Sequence, residues 1–169
     1  MDSLMGKQYG SGMASYTLKT IAIVAMVVDH VAAAFVPGAL RLIMRLIGRL
    51  TAPIMMYFVA EGYHHTKDVG KYALRLGVFA LISHFPYRFF GDGQWPVFDG
   101  EIRMFQTSFM YSLFVGLLSL IVWNNDKLSL IAKAFLILGL CVAAIPGDGS
   151  FFAVFCILAF GAYRGDFKR

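Results

Sequence analysis

Apolar segments follow one another along almost the whole of this 169-residue chain, and they constrain its fold more than any other feature. A helix needs about 20 apolar residues to cross the hydrocarbon core of a bilayer. The chain offers six candidate segments, at residues 18–36, 40–61, 71–90, 104–123, 128–145 and 149–163. We therefore predict an all-α fold, a polytopic transmembrane helix bundle of about six spans, with residues 1–169 forming a single integral membrane domain.

The composition excludes several other classes of protein. Hydrophobic residues make up 59% of the chain and charged residues 15%, which leaves too little polar surface for a soluble enzyme of this length. The net charge of +5 is spread along the sequence, so it favours anchoring of the spans over binding to nucleic acid. Cys141 and Cys156 lie within apolar runs that lack ligand spacing, so we expect them to pack, and we expect no metal site.

Lysine and arginine residues are distributed unevenly between the two predicted sides of the membrane. Six spans put both termini on one side, which then holds ten of these residues against three on the other. Because cytoplasmic connections carry the excess of positive charge, we predict a multi-pass protein with a cytoplasmic amino terminus. The connection 91–103 is then expected on the outer side.

Ionisable residues within the first predicted span mark a functional site, because lipid rejects them. Lys19 and His30 are eleven residues apart, which on a helix is within about 20° of three full turns. Both therefore project from one face, with His30 roughly 16 Å deeper than Lys19. Asp29 lies about 100° around the helix from His30, where it can face an arginine of the second span. The structural alternatives are a core histidine bonded to a backbone carbonyl, and a lysine that anchors the helix at the interface.

The second predicted span carries an arginine at every fourth position, namely Arg41, Arg45 and Arg49. This spacing places the three side chains in one stripe that must face other helices or water. Arg49 is the deepest of them and is the expected partner of Asp29. Arg41 is close enough to the outer surface to be an ordinary interfacial residue.

Three further cations recur every four residues at the entrance to the third predicted span, namely Lys67, Lys71 and Arg75. Cations in line on one helix face suit an anionic ligand. The alternative is anchoring by the positive-inside rule, although Arg75 lies deeper than an anchor requires.

The other ionisable residues of this region are Glu61 and His84, which are further candidates for the site, and the pair His64-His65. No third ligand stands at a recognisable spacing from the two histidines. We therefore expect His64 and His65 to form a solvated pair. No metal ligand set is assigned.

Taken in order, these motifs resemble the TraX family of integral membrane proteins. The likeness extends over about residues 17–160 and is carried by the runs 18–23 with Asp29-His30, 48–54, 61–67, 71–76, 79–87, 111–117 and 147–154. The family includes a protein that acetylates the amino terminus of conjugative pilin. The resemblance therefore implies an acetyl-CoA-dependent transferase in the bacterial cytoplasmic (inner) membrane. The spacing Lys19-x10-His30 is also similar to the Lys/Arg-x10-His motif of the wider membrane acyltransferases, in which the histidine is catalytic.

The resemblance and the intramembrane charges together predict acyl transfer from acetyl-CoA, as acyl donor, to an amine or hydroxyl. The acceptor would be a membrane-associated peptide such as a pilin amino terminus, a lipid or a glycan. The predicted catalytic residues are His30, as general base, with Asp29 and Arg49 setting the local field, while a covalent acyl-histidine route stays open. The residues predicted to hold the CoA phosphates are Lys19, Lys67, Lys71 and Arg75.

Two other classes of function are also considered for this sequence, a transporter and a structural membrane protein. A small proton-coupled transporter also buries aspartate, histidine and arginine in its spans, although no inverted repeat is visible here. A structural membrane protein would need no such residues. The predicted partners are therefore acetyl-CoA, the acceptor and the lipid bilayer, without nucleic acid.

Overall fold

A computed structural model describes residues 2–92 and 107–163, and within them the side chains of residues 16–87, 89 and 107–163. The described part contains seven helices: α1 (Asp2–Phe35), α2 (Ala39–Gly48), α3 (Thr51–His65), α4 (Val69–Asp92), α5 (Phe109–Trp123), α6 (Leu130–Ala144) and α7 (Ser150–Tyr163). It contains no strand, and Thr107 and Gly147 form an isolated parallel bridge. The prediction of an all-α fold is confirmed.

Two segments within the described residues are long and apolar enough to cross a membrane, Tyr16–Phe35 and Ala39–His65. The helices α5, α6 and α7 are apolar but contain only 15, 15 and 14 residues. A helix of 15 residues is about 22 Å long, which is shorter than the roughly 30 Å of a hydrocarbon core. The number of spans therefore stays a prediction. The start of the predicted fourth span, residues 104–106, and most of the connection 91–103 lie outside the described residues.

The predicted second span, 40–61, lies within the apolar segment Ala39–His65, which the structure divides into α2 and α3 at Arg49 and Leu50. Pro53 explains the break. Proline has no N–H to donate to the carbonyl of residue 49, and its ring collides with that carbonyl in a regular helix. The N–H of Ala52 bonds the Arg49 carbonyl instead, at 3.4 Å. Proline is tolerated in the first turn of a helix, and Pro53 lies in the first turn of α3.

The chain divides into two compact units, Met1–Met55 and Met56–Arg169, so the single domain predicted for residues 1–169 stays a prediction. In the first unit, α1 packs against α2. The buried residues Ala22, Ala25 and Ala32 share one face of α1 with Asp29, since their spacings follow the helical repeat. Small side chains on that face allow another backbone to come close.

Gly48 of α2 lies very close to Asp29 of α1. A Cβ atom added at Gly48 would lie 2.3 Å from the Cβ of Asp29. Near the same crossing, the hydroxyl of Thr51 donates a hydrogen bond to the carbonyl of Ala22, at 3.1 Å. Glycine is therefore required at position 48 for the two helices to meet in this way.

In the second unit, α5 is the central helix and packs against α4, α6 and α7. Its buried residues include Ser112 and Ser119, both fully inaccessible, together with Leu113 and Leu117. Ser112 accepts a hydrogen bond from the N–H of Gly149, at 3.0 Å, which ties the turn before α7 to α5. The hydroxyl of Ser119 bonds a carbonyl of its own helix. Each of these two buried hydroxyls thus has a hydrogen-bond partner.

The approach at Gly48 gives a test of the α1–α2 packing. Gly48→Ala should lower the free energy of unfolding by about 1–3 kcal/mol, because the added methyl group overlaps the Asp29 side chain near its root. Heat-induced unfolding of the purified protein in detergent measures the loss. The matched control is Gly139→Ala in α6, where an added Cβ meets nothing within 4 Å and alanine favours the helix. Equal midpoints for the two variants would contradict the packing described.

Candidate functional site

The first group of candidate residues surrounds Asp29 in the first unit. The guanidinium Nε of Arg45 lies 3.7 Å from Oδ1 of Asp29, which makes an ion pair but is too long for a hydrogen bond. The same Oδ1 is buried and accepts no hydrogen bond from any described residue. A buried carboxylate oxygen without a donor is costly, and such atoms are concentrated at functional sites.

The structure corrects the predicted partner of Asp29, because Arg45 pairs with it rather than Arg49. Arg49 is the C-cap of α2, its backbone N–H bonds the Arg45 carbonyl, and its side chain is exposed. The prediction chose the deepest arginine of a continuous helix. The ion pair instead involves the arginine one helical turn earlier in the same stripe, Arg45.

His30 is held by a hydrogen bond within α1. Its Nδ1 lies 2.7 Å from the carbonyl oxygen of Met26, which can only accept, so Nδ1 carries a proton. In the neutral ring the lone pair is then on Nε2. The structural alternative for His30 was a core histidine bonded to a backbone carbonyl. His30 has the carbonyl bond, but it is exposed on the helix surface and so is not a core residue. Lys19 lies on the same unbroken helix, α1, eleven residues before His30.

The second group of candidate residues surrounds the turn between α3 and α4. Asp68 precedes the first residue of α4 and accepts the backbone N–H of Lys71 at 3.0 Å, as a helix cap does. Its other oxygen lies 3.3 Å from the Lys71 ammonium. The N–H and then the ammonium of Lys71 hold the pKa of the Asp68 carboxyl below its ordinary value. Lys71 therefore forms its ion pair with Asp68 at the exposed start of α4.

The predicted stripe of three cations forms only in part. Lys67 lies in the bend before α4, so it does not continue the helical spacing of the other two residues. Lys71 pairs with Asp68. Arg75 lines a cavity of about 460 Å³ between the end of α3 and the first half of α4, together with Gly62, His65, Thr66, Tyr72, Leu76 and Phe79. The structure thus distinguishes Arg75 from the two lysines.

A carboxylate–histidine pair beside this cavity was missed by the sequence interpretation. The ring Nε2 of His65 donates to Oε1 of Glu61 at 2.7 Å, one helical turn away. The spacing of four residues was visible in the sequence and could have predicted the pair. His64 and His65 are both exposed, and Nε2 of His64 also lies 3.3 Å from the carbonyl of Gly161 on α7.

His84 stands apart from both groups. It lines an apolar cavity of about 710 Å³ between α4 and α5, with Thr107, Tyr111 and Phe114 among its neighbours. Thr107 has a buried hydroxyl without a hydrogen-bond partner in the described part of the chain. Among the described residues, His84 and Arg75 line different cavities of the second unit.

Comparisons with known proteins give a family match. A model of the family described as TraX protein matches residues 14–164. A curated relative, the probable fimbrial assembly protein FimC, serogroup H1, of Dichelobacter nodosus, is 33% identical over 158 residues. That match covers 91% of this chain and 64% of the relative, so the chain spans less than two thirds of the relative's length. No solved structure matches the chain.

The partner of Asp29 can be identified by a double-mutant cycle. Asp29→Asn and Arg45→Gln, measured singly and together, should show a coupling energy of about 0.5 kcal/mol or more, because each removes the other's ion-pair partner. The matched control combines Asp29→Asn with Arg49→Gln and should show coupling near zero. Unfolding in detergent provides the free energies. Coupling confined to Arg49 would restore the partner expected from the sequence.

Proposed function

We propose, from the premise that the chain belongs to the TraX family, that it is a membrane-embedded acyltransferase that uses acetyl-CoA. The acceptor we propose is the amino terminus of a pilin-like peptide, because the relative is a probable fimbrial assembly protein. A hydroxyl of another membrane-associated molecule offers the same chemistry. The apolar helices and the family together make this a membrane protein.

The state of His30 carries the proposal. A general base needs a nitrogen lone pair, and the bond from Nδ1 to the Met26 carbonyl puts that lone pair on Nε2. Next to it in the sequence, Asp29 has a buried oxygen that accepts no hydrogen bond within the described region. Arg45 offsets the negative charge of that carboxylate. These features support a site that stabilises the positive charge that develops on the His30 ring as Nε2 takes up a proton.

The proposed reaction balances with the groups of the chain and its two substrates. The acceptor nitrogen attacks the thioester carbonyl, a C–N bond forms and the C–S bond breaks. Nε2 of His30 takes the proton from the nitrogen and gives it to the departing thiolate of CoA. The products are the acetylated acceptor and free CoA.

The proposed binding residues for the CoA phosphates are Lys19, Lys67, Lys71 and Arg75. They are among the cations whose positions in the sequence suit the cytoplasmic rim of the membrane. In the structure, Arg75 has the clearest support, because it lines a cavity and makes no ion pair with a described residue. Lys71 can contribute only in competition with Asp68.

The catalytic role of His30 is testable by substitution. His30→Ala should reduce acetyl transfer about 100-fold or more, while the affinity for acetyl-CoA stays unchanged, because a base acts in the chemical step. Release of CoA in the presence of a pilin-like peptide measures the rate, and equilibrium dialysis measures the affinity. Val27→Ala, at an exposed position on the same helix, is the matched control.

The outcome that contradicts the proposal is equally specific. A proton-coupled transporter would release no CoA with any acceptor in a broad panel. In sealed vesicles it would instead support a proton flux that depends on His30. That pair of results would replace the acyltransferase by the transporter.

We also propose a multi-pass arrangement in the bacterial cytoplasmic membrane with a cytoplasmic amino terminus. Cysteine labelling tests it after Cys141 and Cys156 are replaced by alanine. A cysteine at the exposed Asn125 should react only in permeabilised cells, whereas one at the exposed Asp148 should react in intact cells. A cysteine at Gly93, outside the described residues, should behave like the one at Asp148. Reaction at positions 125 and 148 from the same side would show that α6 does not cross the membrane.

A further inference from the structure

The cavity between α3 and α4 combines a cation with apolar and aromatic walls. Its volume of about 460 Å³ lies within the range of small-molecule sites. Of the described residues that line it, Arg75 carries a fixed positive charge and none is a carboxylate. The cavity is therefore suited to a ligand that has an anionic group and a flat apolar part.

Arg75 is placed to bind the anionic group. Its Nε donates a hydrogen bond to the carbonyl of Lys71, at 3.3 Å, which orients the guanidinium. Lys71 shares the same helix but is paired with Asp68 at the exposed helix start. A guanidinium binds phosphate through two parallel hydrogen bonds, so it fixes both the position and the orientation of such a group.

The aromatic residues that line the cavity suit the flat part of such a ligand. Tyr72 and Phe79 line the cavity on the α4 side, and aromatic side chains stack on nucleic-acid bases. On the α3 side, Gly62 leaves room for the Tyr72 hydroxyl, which would lie 2.8 Å from an added Cβ. Glu61 holds the ring of His65 at the rim and does not itself line the cavity among the described residues. The carboxylate is thus engaged by His65 rather than turned toward the anion.

We infer that this cavity binds the adenosine 3′-phosphate end of acetyl-CoA, with Arg75 on a phosphate and Phe79 against the base. The inference rests on the proposed function, and it assigns the nucleotide half of the donor to the α3–α4 hairpin. A phosphate could also come from an anionic lipid headgroup. The aromatic walls favour the nucleotide, because a headgroup phosphate brings no flat ring with it.

The experiment measures binding of adenosine 3′,5′-bisphosphate to the full chain in nanodiscs, so that it requires no catalysis. Arg75→Gln should weaken binding about 10-fold or more, since it removes a charge-assisted hydrogen-bond donor. Phe79→Leu should weaken it about fivefold or more, through lost stacking. The matched controls are Lys127→Gln on the α5–α6 turn and Phe85→Leu, an exposed residue of α4 that does not line this cavity. Thermal unfolding checks that each variant is folded.

The possible results separate the inference from the proposed function. Binding that depends on Arg75 and Phe79 supports the nucleotide site even if no acceptor is acetylated. Acetyl transfer with unaltered bisphosphate binding in both variants overturns the inference and leaves the function intact. If wild-type protein binds no bisphosphate but retains anionic lipid in an Arg75-dependent way, the ligand is a headgroup and the inference is wrong.

Discussion

The first unit depends on one constraint, the need to hold the charge of Asp29 in an apolar helix pair. An unpaired carboxylate at such a place is strongly unfavourable, so a cation must come within a few ångströms of it. Arg45 does so only because α2 approaches α1 at Gly48, where a side chain would overlap Asp29. The small residues of α1 and the break before Pro53 serve the same approach. The ion pair in this unit therefore depends directly on the close packing of its two helices.

Much of this could be predicted from sequence, and the errors have identifiable causes. Apolar runs locate the helices well, and charges within them locate the candidate sites. The choice of Arg49 over Arg45 was wrong because it ranked the arginines by depth, whereas the ion pair depends on which turn of α2 lies opposite Asp29. The spacing of charges along one helix does not specify that register.

The anion site shows a different limit. Lys67, Lys71 and Arg75 have the same charge and regular spacing in the sequence, which cannot rank them. The structure distinguishes them by their surroundings. Lys67 lies in a bend, Lys71 pairs with a carboxylate, and Arg75 lines a cavity. Asp68 caps the start of α4 and also forms an ion pair with Lys71. The role of a cation thus depends on short-range partners that spacing alone does not specify.

The second unit explains why helix faces are harder to predict than helix positions in this chain. Its central helix buries Ser112 and Ser119 completely, whereas Leu130, Ile131 and Phe135 of α6 are each more than 70% exposed. A soluble protein would reverse this arrangement, since exposed apolar area is unfavourable in water. In lipid there is no such penalty, and helices associate through small residues and local hydrogen bonds. Because the outward and inward faces are both apolar in sequence, the hydrophobic pattern does not distinguish them, and the few polar residues become the better guide to the interior.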